Sequence, residues 1–340
     1  MPSLNDELPP RGLFPHDIAR RSFLKRSFAT AATLGAASFL SVRLAGAAEP
    51  QSKSAQPMFK VVDSHQHLWD LKKFRLPWTA KNPAMARDYS MLDYRAATSG
   101  IAIEKSVYLE VDCDPSQQQA EADYISEVCR SGGGPLAAAV ISGRPAAENF
   151  RNYISQFKSH SHIRGLRQVL HGDATPQGYC LQKSFIAGIQ YLGELGLSYD
   201  ICIRAPELPD AAKLIDACPG TAFILDHCGN ADVKVKDQTA WKRDMAALAR
   251  RKNVVGKVSG IIASAAPGKW SVEDLAPIVN HTLDVFGPDR VMFGGDWPVC
   301  TLAASYRQWF DALREIVANR PESEQRRLFH DNAIRYYRLA

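Results

Sequence analysis

The sequence predicts a single α/β domain of the (β/α)8, or TIM-barrel, class behind an N-terminal signal segment. Three observations carry that prediction. Eight short runs rich in Val, Ile and Leu recur from residue 59 onward, without the strict polar alternation of a half-exposed antiparallel sheet, as befits parallel strands buried on both faces. Amphipathic segments lie between them. The length left once a leader is removed, about 290 residues, suits one such barrel. No GxGxxG or GxxxxGK[ST] loop follows any run, so dinucleotide and P-loop sites lose their main support.

Residues 1–47 read as an export signal. Arg20-Arg21-Ser22-Phe23-Leu24-Lys25 precedes an alanine-rich apolar run from Ala29 to Leu40, and Ala45-Gly46-Ala47 offers a small-residue cleavage site. The paired arginines followed by Phe-Leu-Lys resemble the bacterial twin-arginine signal. That resemblance implies the twin-arginine export machinery as a partner and the periplasm as destination. Arg43 closes the apolar run too early for a membrane span of about 20 residues, so no stable anchor is expected.

The charge balance changes once the leader is set aside. The chain carries 41 Lys+Arg and 36 Asp+Glu; the leader holds six of the former and three of the latter, leaving 35 basic against 33 acidic residues. A near-neutral body has no electrostatic footprint for nucleic acid or an anionic membrane, and a small-molecule substrate is expected. Seven cysteines at irregular spacing, without a CxxC pair, fit neither a complete disulfide framework nor a Cys-rich zinc site. Most are read as packing residues, with one bridge permitted by an oxidising compartment.

After a polar linker at 48–58, the barrel domain is expected over 59–340. Its strands are read at Lys60–Asp63, Lys105–Val111, Leu136–Ile141, Arg164–Leu170, Ser198–Ile203, Ala222–Leu225, Val254–Val258 and Arg290–Phe293. Helical periodicity marks Gln117–Cys129, Glu148–Ser159, Ser184–Leu195, Gln238–Arg251, Val272–Phe286 and Ser305–Val317. The Arg326-Arg327 pair and the run Arg335 to Arg338 read as a solvated helical face.

A barrel carries its chemistry at the C-terminal ends of its strands. The first run ends Asp63-Ser64-His65-Gln66-His67, and two histidines at i and i+2 on an extended chain point the same way, towards one cation or one substrate oxygen. The sixth ends Asp226-His227-Cys228-Gly229 and the eighth Gly295-Asp296-Trp297-Pro298. Strand eight closes against strand one, so Asp296 is expected beside His65 and His67. Arg167 ends strand four, where a guanidinium can grip a carboxylate. His171 follows it, Trp69, Trp78 and Trp297 flank the rim, and Lys257 near the end of strand seven needs a carboxylate or a substrate. Each has a structural alternative: a helix cap for Asp296, a hydrogen-bonded core histidine for His227, an ion pair for Arg167, packing for the tryptophans.

In combination, Asp63-Ser64-His65-Gln66-His67-Leu68-Trp69-Asp70, Arg87-Asp88-Tyr89, Gly165-Leu166-Arg167, Asp226-His227-Cys228-Gly229, Gly295-Asp296-Trp297-Pro298 and Asn332-Ala333 resemble the amidohydrolase superfamily, in its amidohydrolase-related branch of lactonase-like proteins. The resemblance implies a hydrolase that opens sugar-acid or carboxylated, muconolactone-type lactones. It implies a water surrounded by His65, His67 and Asp296, with or without one divalent metal, zinc foremost. Strand four offers Arg167 and strand five Tyr199-Asp200-Ile201-Cys202, with no histidine, so a binuclear centre is not expected.

In that scheme Asp296 is the general base, and His227 joins the catalytic set as an oxyanion donor or further ligand. Arg167, His171, Trp69, Trp297 and Lys257 are the substrate-binding set. Two other readings stay open. One is a lactone isomerase or metal-dependent decarboxylase on the same scaffold, against which the absent strand-five histidine weighs. The other is a periplasmic small-acid binding protein, which would need a second lobe.

Overall fold

The computed structural model describes residues 59–339. Eight strands form one parallel sheet in sequence order: β1 (Val61–Gln66), β2 (Ile103–Leu109), β3 (Leu136–Ser142), β4 (Ile163–Val169), β5 (Ser198–Cys202), β6 (Phe223–Leu225), β7 (Val254–Val258) and β8 (Val291–Phe293). Helices lie between successive strands, as in a (β/α)8 barrel. The proposed signal peptide, its twin arginines and the linker up to residue 58 lie outside the described residues. No helix among the described residues is long and apolar enough to cross a membrane.

Strand parity explains why these runs fold this way. Val61, Tyr108, Ala139, Ile141, Tyr199 and Phe223 join one large apolar cluster, whereas their neighbours Val62, Val107, Leu109, Ala138, Val140 and Ile224 join a second, smaller one. Successive side chains on a strand point to opposite faces, so one set meets the helices and the other fills the barrel. Each fully buried large side chain contributes about 1.5–3 kcal/mol relative to exposure. Helix starts are fixed locally by capping boxes at Ser90 with Asp93, Ser271 with Asp274, and Ser305 with Gln308.

The predicted strands are reproduced with ends shifted by a few residues. The segment 148–159 is helical only over Phe150–Ser155, and Leu208–Ala217 forms a helix between β5 and β6. All seven cysteines are unpaired and buried, so the permitted bridge does not form. Arg335 and Arg338 are exposed as expected, but the same segment sends Tyr337 and Leu339 into the smaller apolar cluster at the barrel floor.

The seam between β1 and β8 positions the site. Here β1 carries a bulge: Asp63 is level with Ser106 but Gln66 with Tyr108, so the strand holds one residue more than its partner. The Asp296 N–H donates to the His65 carbonyl at 2.7 Å, and the His67 N–H donates to the Trp297 carbonyl at 2.7 Å. Asp63, buried outside the barrel, accepts from the Gly295 and His65 N–H groups and from the Tyr94 and Tyr306 hydroxyls. Position 295 must be glycine, since a Cβ there would lie 2.2 Å from the Tyr306 ring and 2.7 Å from the Asp63 carboxylate.

Candidate active site

A cavity of about 630 Å³ opens at the C-terminal ends of the strands. Its polar floor includes His67, Arg167, His227 and Asp296; Trp69, Trp78, Val111, Val169, Val299 and Leu302 supply apolar wall. Asp296 reaches it through a left-handed backbone (φ 53°), and His227 does the same (φ 54°). Such conformations cost of order 1–3 kcal/mol outside glycine and persist where surrounding structure enforces them. At His227 the enforcement is visible: its Nδ1 lies 2.9 Å from the Ser259 hydroxyl, and a Cβ on Gly260 would fall 2.1 Å from that nitrogen.

The two β1 histidines converge on one oxygen. His65 Nε2 lies 3.4 Å and His67 Nε2 3.3 Å from Asp296 Oδ1. His67 Nδ1 is 2.8 Å from the Leu109 carbonyl, which can only accept, so that nitrogen carries a proton and Nε2 is left to face the carboxylate. Nε2 and the carboxylate oxygen are bridged either by a second ring proton or by a cation. His65 is held differently, with each ring nitrogen between a cation and a carboxylate. Nδ1 is 3.3 Å from Lys257 Nζ and 3.4 Å from Asp226 Oδ1; Nε2 is 3.3 Å from Arg167 Nη1 as well as facing Asp296.

Electrostatics follow from these contacts. Burial pushes the His65 pKa well below the ordinary histidine value, more than the Asp226 charge restores, and keeps the ring neutral. Burial also opposes the Asp296 charge, but His227 foremost, and then the hydrogen bond with His67, outweigh it and bring its carboxyl down to about 2. For His227, desolvation is outweighed by the Asp296 carboxylate, and its pKa rises. Beneath the triad, Arg167 and Lys257 are two cations against the three carboxylates of Glu110, Asp200 and Asp226, and Asp296 adds a fourth carboxylate above them. The buried centre is short of positive charge.

That shortage and the His67 ring nitrogen facing Asp296 fit a divalent cation. Ligand atoms of His65, His67 and Asp296 lie within 4.8 Å of one another, a two-nitrogen, one-oxygen set suited to a mononuclear centre. His227 falls in a second group with His65 and Asp226 rather than in this one.

The substrate-binding expectations divide. Trp69, His171 and Arg167 line the cavity. Arg167, however, is buried and occupied: Nε donates to Glu110 Oε1 at 2.7 Å, Nη2 to the Glu110 carbonyl at 2.7 Å, and Nη1 lies 3.3 Å from Asp226 Oδ2. Lys257 and Trp297 do not line the cavity. Lys257 is fully buried, 2.9 Å from Asp226 Oδ1, 3.0 Å from Asp200 Oδ2 and 2.9 Å from the Tyr337 hydroxyl. Its expected substrate contact is corrected to an internal ion pair, which holds its pKa up against burial. Trp297 packs edge-on against Tyr89 and Tyr94 in the core. Trp69 also has a structural task, donating from its indole to the Arg87 carbonyl at 2.7 Å.

Sequence reasoning missed Glu110, Asp112 and Arg144. Asp112 and Arg144 face each other on the cavity wall at 3.4 Å, and Arg144 Nη1 also donates to the Ser142 hydroxyl at 3.1 Å and the Gly143 carbonyl at 3.2 Å. The signal was present: β2 runs on into Leu109-Glu110-Val111-Asp112 and β3 into Ser142-Gly143-Arg144, both charged ends of apolar strands.

Histidines after β1 and β6 and an aspartate after β8, gathered at the mouth of a parallel eight-stranded barrel, define the class: a TIM-barrel hydrolase with its polar centre at the strand ends. The amidohydrolase family model matches residues 62–339, and the chain belongs to that family. It is 28% identical over 305 residues to an L-fucono-1,5-lactonase of Burkholderia multivorans, covering 82% of this chain and 96% of that protein. It is 25% identical over 302 residues to a 2-pyrone-4,6-dicarboxylate hydrolase of Comamonas testosteroni, covering 83% and 93%. A crystal structure of an amidohydrolase from Burkholderia multivorans with bound zinc superposes with a TM-score of 0.75 at 26% identity, over 83% of this chain and all of that one. The described residues form one barrel without a second lobe, which removes the basis of the binding-protein reading.

Proposed function

We propose that the protein hydrolyses a lactone, with Asp296 as the base that activates the attacking water. The observation that carries this reading is the convergence of His65, His67 and Asp296 at the floor of a largely apolar cavity, with His227 beside them. The named activities of the Burkholderia and Comamonas relatives support it.

Asp296 takes the proton as water oxygen adds to the lactone carbonyl carbon, and the carbonyl electron pair moves onto oxygen. His227, whose raised pKa makes it a donor, stabilises that oxyanion. When the tetrahedral centre collapses, the ring C–O bond breaks and the alkoxide takes the proton back from Asp296, giving a hydroxy acid. A carboxyl with a pKa near 2 gives up a proton readily, which suits the second half of this cycle. A divalent metal held by His65, His67 and Asp296, zinc in our reading, would polarise the carbonyl and lower the pKa of water towards about 7.

The substrate enters against Trp69 and Trp78, with Arg144 and His171 as the polar groups available to its oxygens. The test is a pH-indicator assay of L-fucono-1,5-lactone, other aldonolactones and 2-pyrone-4,6-dicarboxylate, with metal analysis and chelator controls. Acid release on at least one lactone is expected, falling with chelator and returning with zinc. Failure on every lactone would refute the proposal, and chelator-insensitive turnover would remove its metal.

A further inference from the structure

The C-terminal helix Asn332–Tyr337 runs beneath the barrel, far from the cavity mouth. Asn332 fixes it there by donating to the Val291 and Pro288 carbonyls at 2.7 and 2.8 Å. Arg338 ends the helix in a left-handed conformation (φ 52°), and Leu339 turns back into the barrel. The Tyr337 hydroxyl is fully buried, donates to Asp200 Oδ2 and accepts from Lys257 Nζ. From there an unbroken path of buried contacts runs upward. Lys257 meets Asp226 at 2.9 Å, and Asp226 lies 3.4 Å from His65 Nδ1 and 3.3 Å from Arg167.

We infer that Tyr337 is a positioning residue for the active site: with Asp200 it holds Lys257 against Asp226, and Asp226 in turn sets the orientation of the His65 ring. The inference rests on the reading of His65 as a ligand in the proposed hydrolase. Its logic is the sharing of one ammonium between two carboxylates. Asp200 Oδ1 has no hydrogen-bond partner, so Asp200 depends on Oδ2, which serves both the phenol and Lys257. Removing the phenol hydroxyl leaves Asp200 with Lys257 alone. The ammonium is drawn towards it, and Asp226, losing part of its counter-charge, no longer sits at a fixed distance from His65. Groups that orient a metal-binding imidazole typically change metal affinity or activity 10- to 100-fold when altered. Tyr337 touches neither cavity nor substrate, so its effect must come through that chain.

The experiment uses the full-length protein with Tyr337→Phe, which keeps the ring and its packing. Zinc affinity of the metal-free protein is measured by competition with a chromophoric chelator, and kcat and KM on whichever lactone the wild type opens. About tenfold weaker zinc binding is expected, with a kcat loss of similar size and KM unchanged. Tyr336→Phe removes a hydroxyl from the same helix, where it bonds the Asp289 carbonyl near the surface, and leaves both readouts at wild-type values. Asp200→Asn reproduces the Tyr337→Phe effect. Wild-type zinc affinity and kcat in Tyr337→Phe overturn the inference, as does an equal loss in Tyr336→Phe. A wild type that binds zinc but opens no lactone refutes the reaction alone, and the zinc ratio still decides the inference. A wild type that holds no zinc overturns it.

Discussion

Two layers of the barrel interior use the same residue types to opposite ends. In the lower layer, Lys257, Asp200, Asp226, Arg167, Glu110 and Tyr337 interlock, and both cations meet carboxylates at 2.7–3.3 Å. In the upper layer, His67 and Asp296 meet ring nitrogen to carboxylate oxygen with no fixed cation between them among the described residues, and His65 closes the triangle. A layer whose cations are all engaged stores rigidity, because breaking any pair strands a buried charge. A layer missing a cation stores reactivity, because it attracts whatever fills the gap: a proton, a metal or the developing charge of a reaction. Charge alone therefore does not mark a catalytic group; an unmet partner at the floor of the cavity does.

The largest expected effect tests the upper layer. Asp296→Asn keeps the side chain's size and can offer its amide N–H or its carbonyl to His67 Nε2. The fold should hold, with Tm at or above the wild-type value, while kcat falls by about 10²–10⁴-fold. Unchanged kcat in a folded Asp296→Asn protein would show that the unmet acceptor is not the reactive one.

The contrast between layers also explains what was legible in the sequence. The barrel was, because inward and outward strand positions are both apolar and the eight runs stand clear of their helices. His65, His67, His227 and Asp296 were, because ionisable residues at the ends of apolar strands break a pattern. What Lys257 and Arg167 do there was not. A lysine ending strand seven looks the same on paper whether it meets a substrate or is shared by Asp200 and Asp226, which lie on other strands and are brought to it only by closure of the barrel. Arg144 and Asp112 escaped for a simpler reason, since β2 and β3 continue into polar turns that read as ordinary loop. Tyr337 gave no signal, because nothing local to a C-terminal Arg-Tyr-Tyr-Arg run tells which side chain threads the barrel.

The matched layer can be broken directly. Lys257→Met keeps the length of the side chain and removes its charge, leaving Asp200 and Asp226 buried with Tyr337, Arg167 and the His65 ring to serve them. Removing one partner of a buried pair costs about 3–5 kcal/mol, which for a domain of this size lowers Tm by roughly 10 °C. Calorimetry measures it. A Tm within a degree or two of wild type would mean that water already shares the Lys257 site and that the lower layer is no stiffer than the upper.

The smallest effect comes from a carboxyl between these extremes. Glu121 is fully buried beside the cavity wall, and its partners are neutral donors: the Tyr108 hydroxyl at 2.8 Å, the Val111 N–H at 2.8 Å and the Cys113 thiol. Burial, and then the nearby Glu110 charge, raises its pKa to about 7. The sign follows from comparing states. Below about pH 4.5 the carboxyl is protonated in folded and unfolded chains alike and contributes no pH dependence. Between about 4.5 and 7 the unfolded chain releases its proton while the folded one keeps it, so stability declines as pH rises, by at most about 3 kcal/mol in all. Above 7 the loss is complete and constant. Glu121→Gln keeps the acceptor for Tyr108 and Val111 and turns an N–H towards the Cys113 sulfur. It should therefore match the wild type in Tm at pH 5 and exceed it by a few degrees at pH 8. Equal Tm values at both pH values would place Glu121 with the matched charges of the lower layer, served by a cation that its neutral contacts do not reveal.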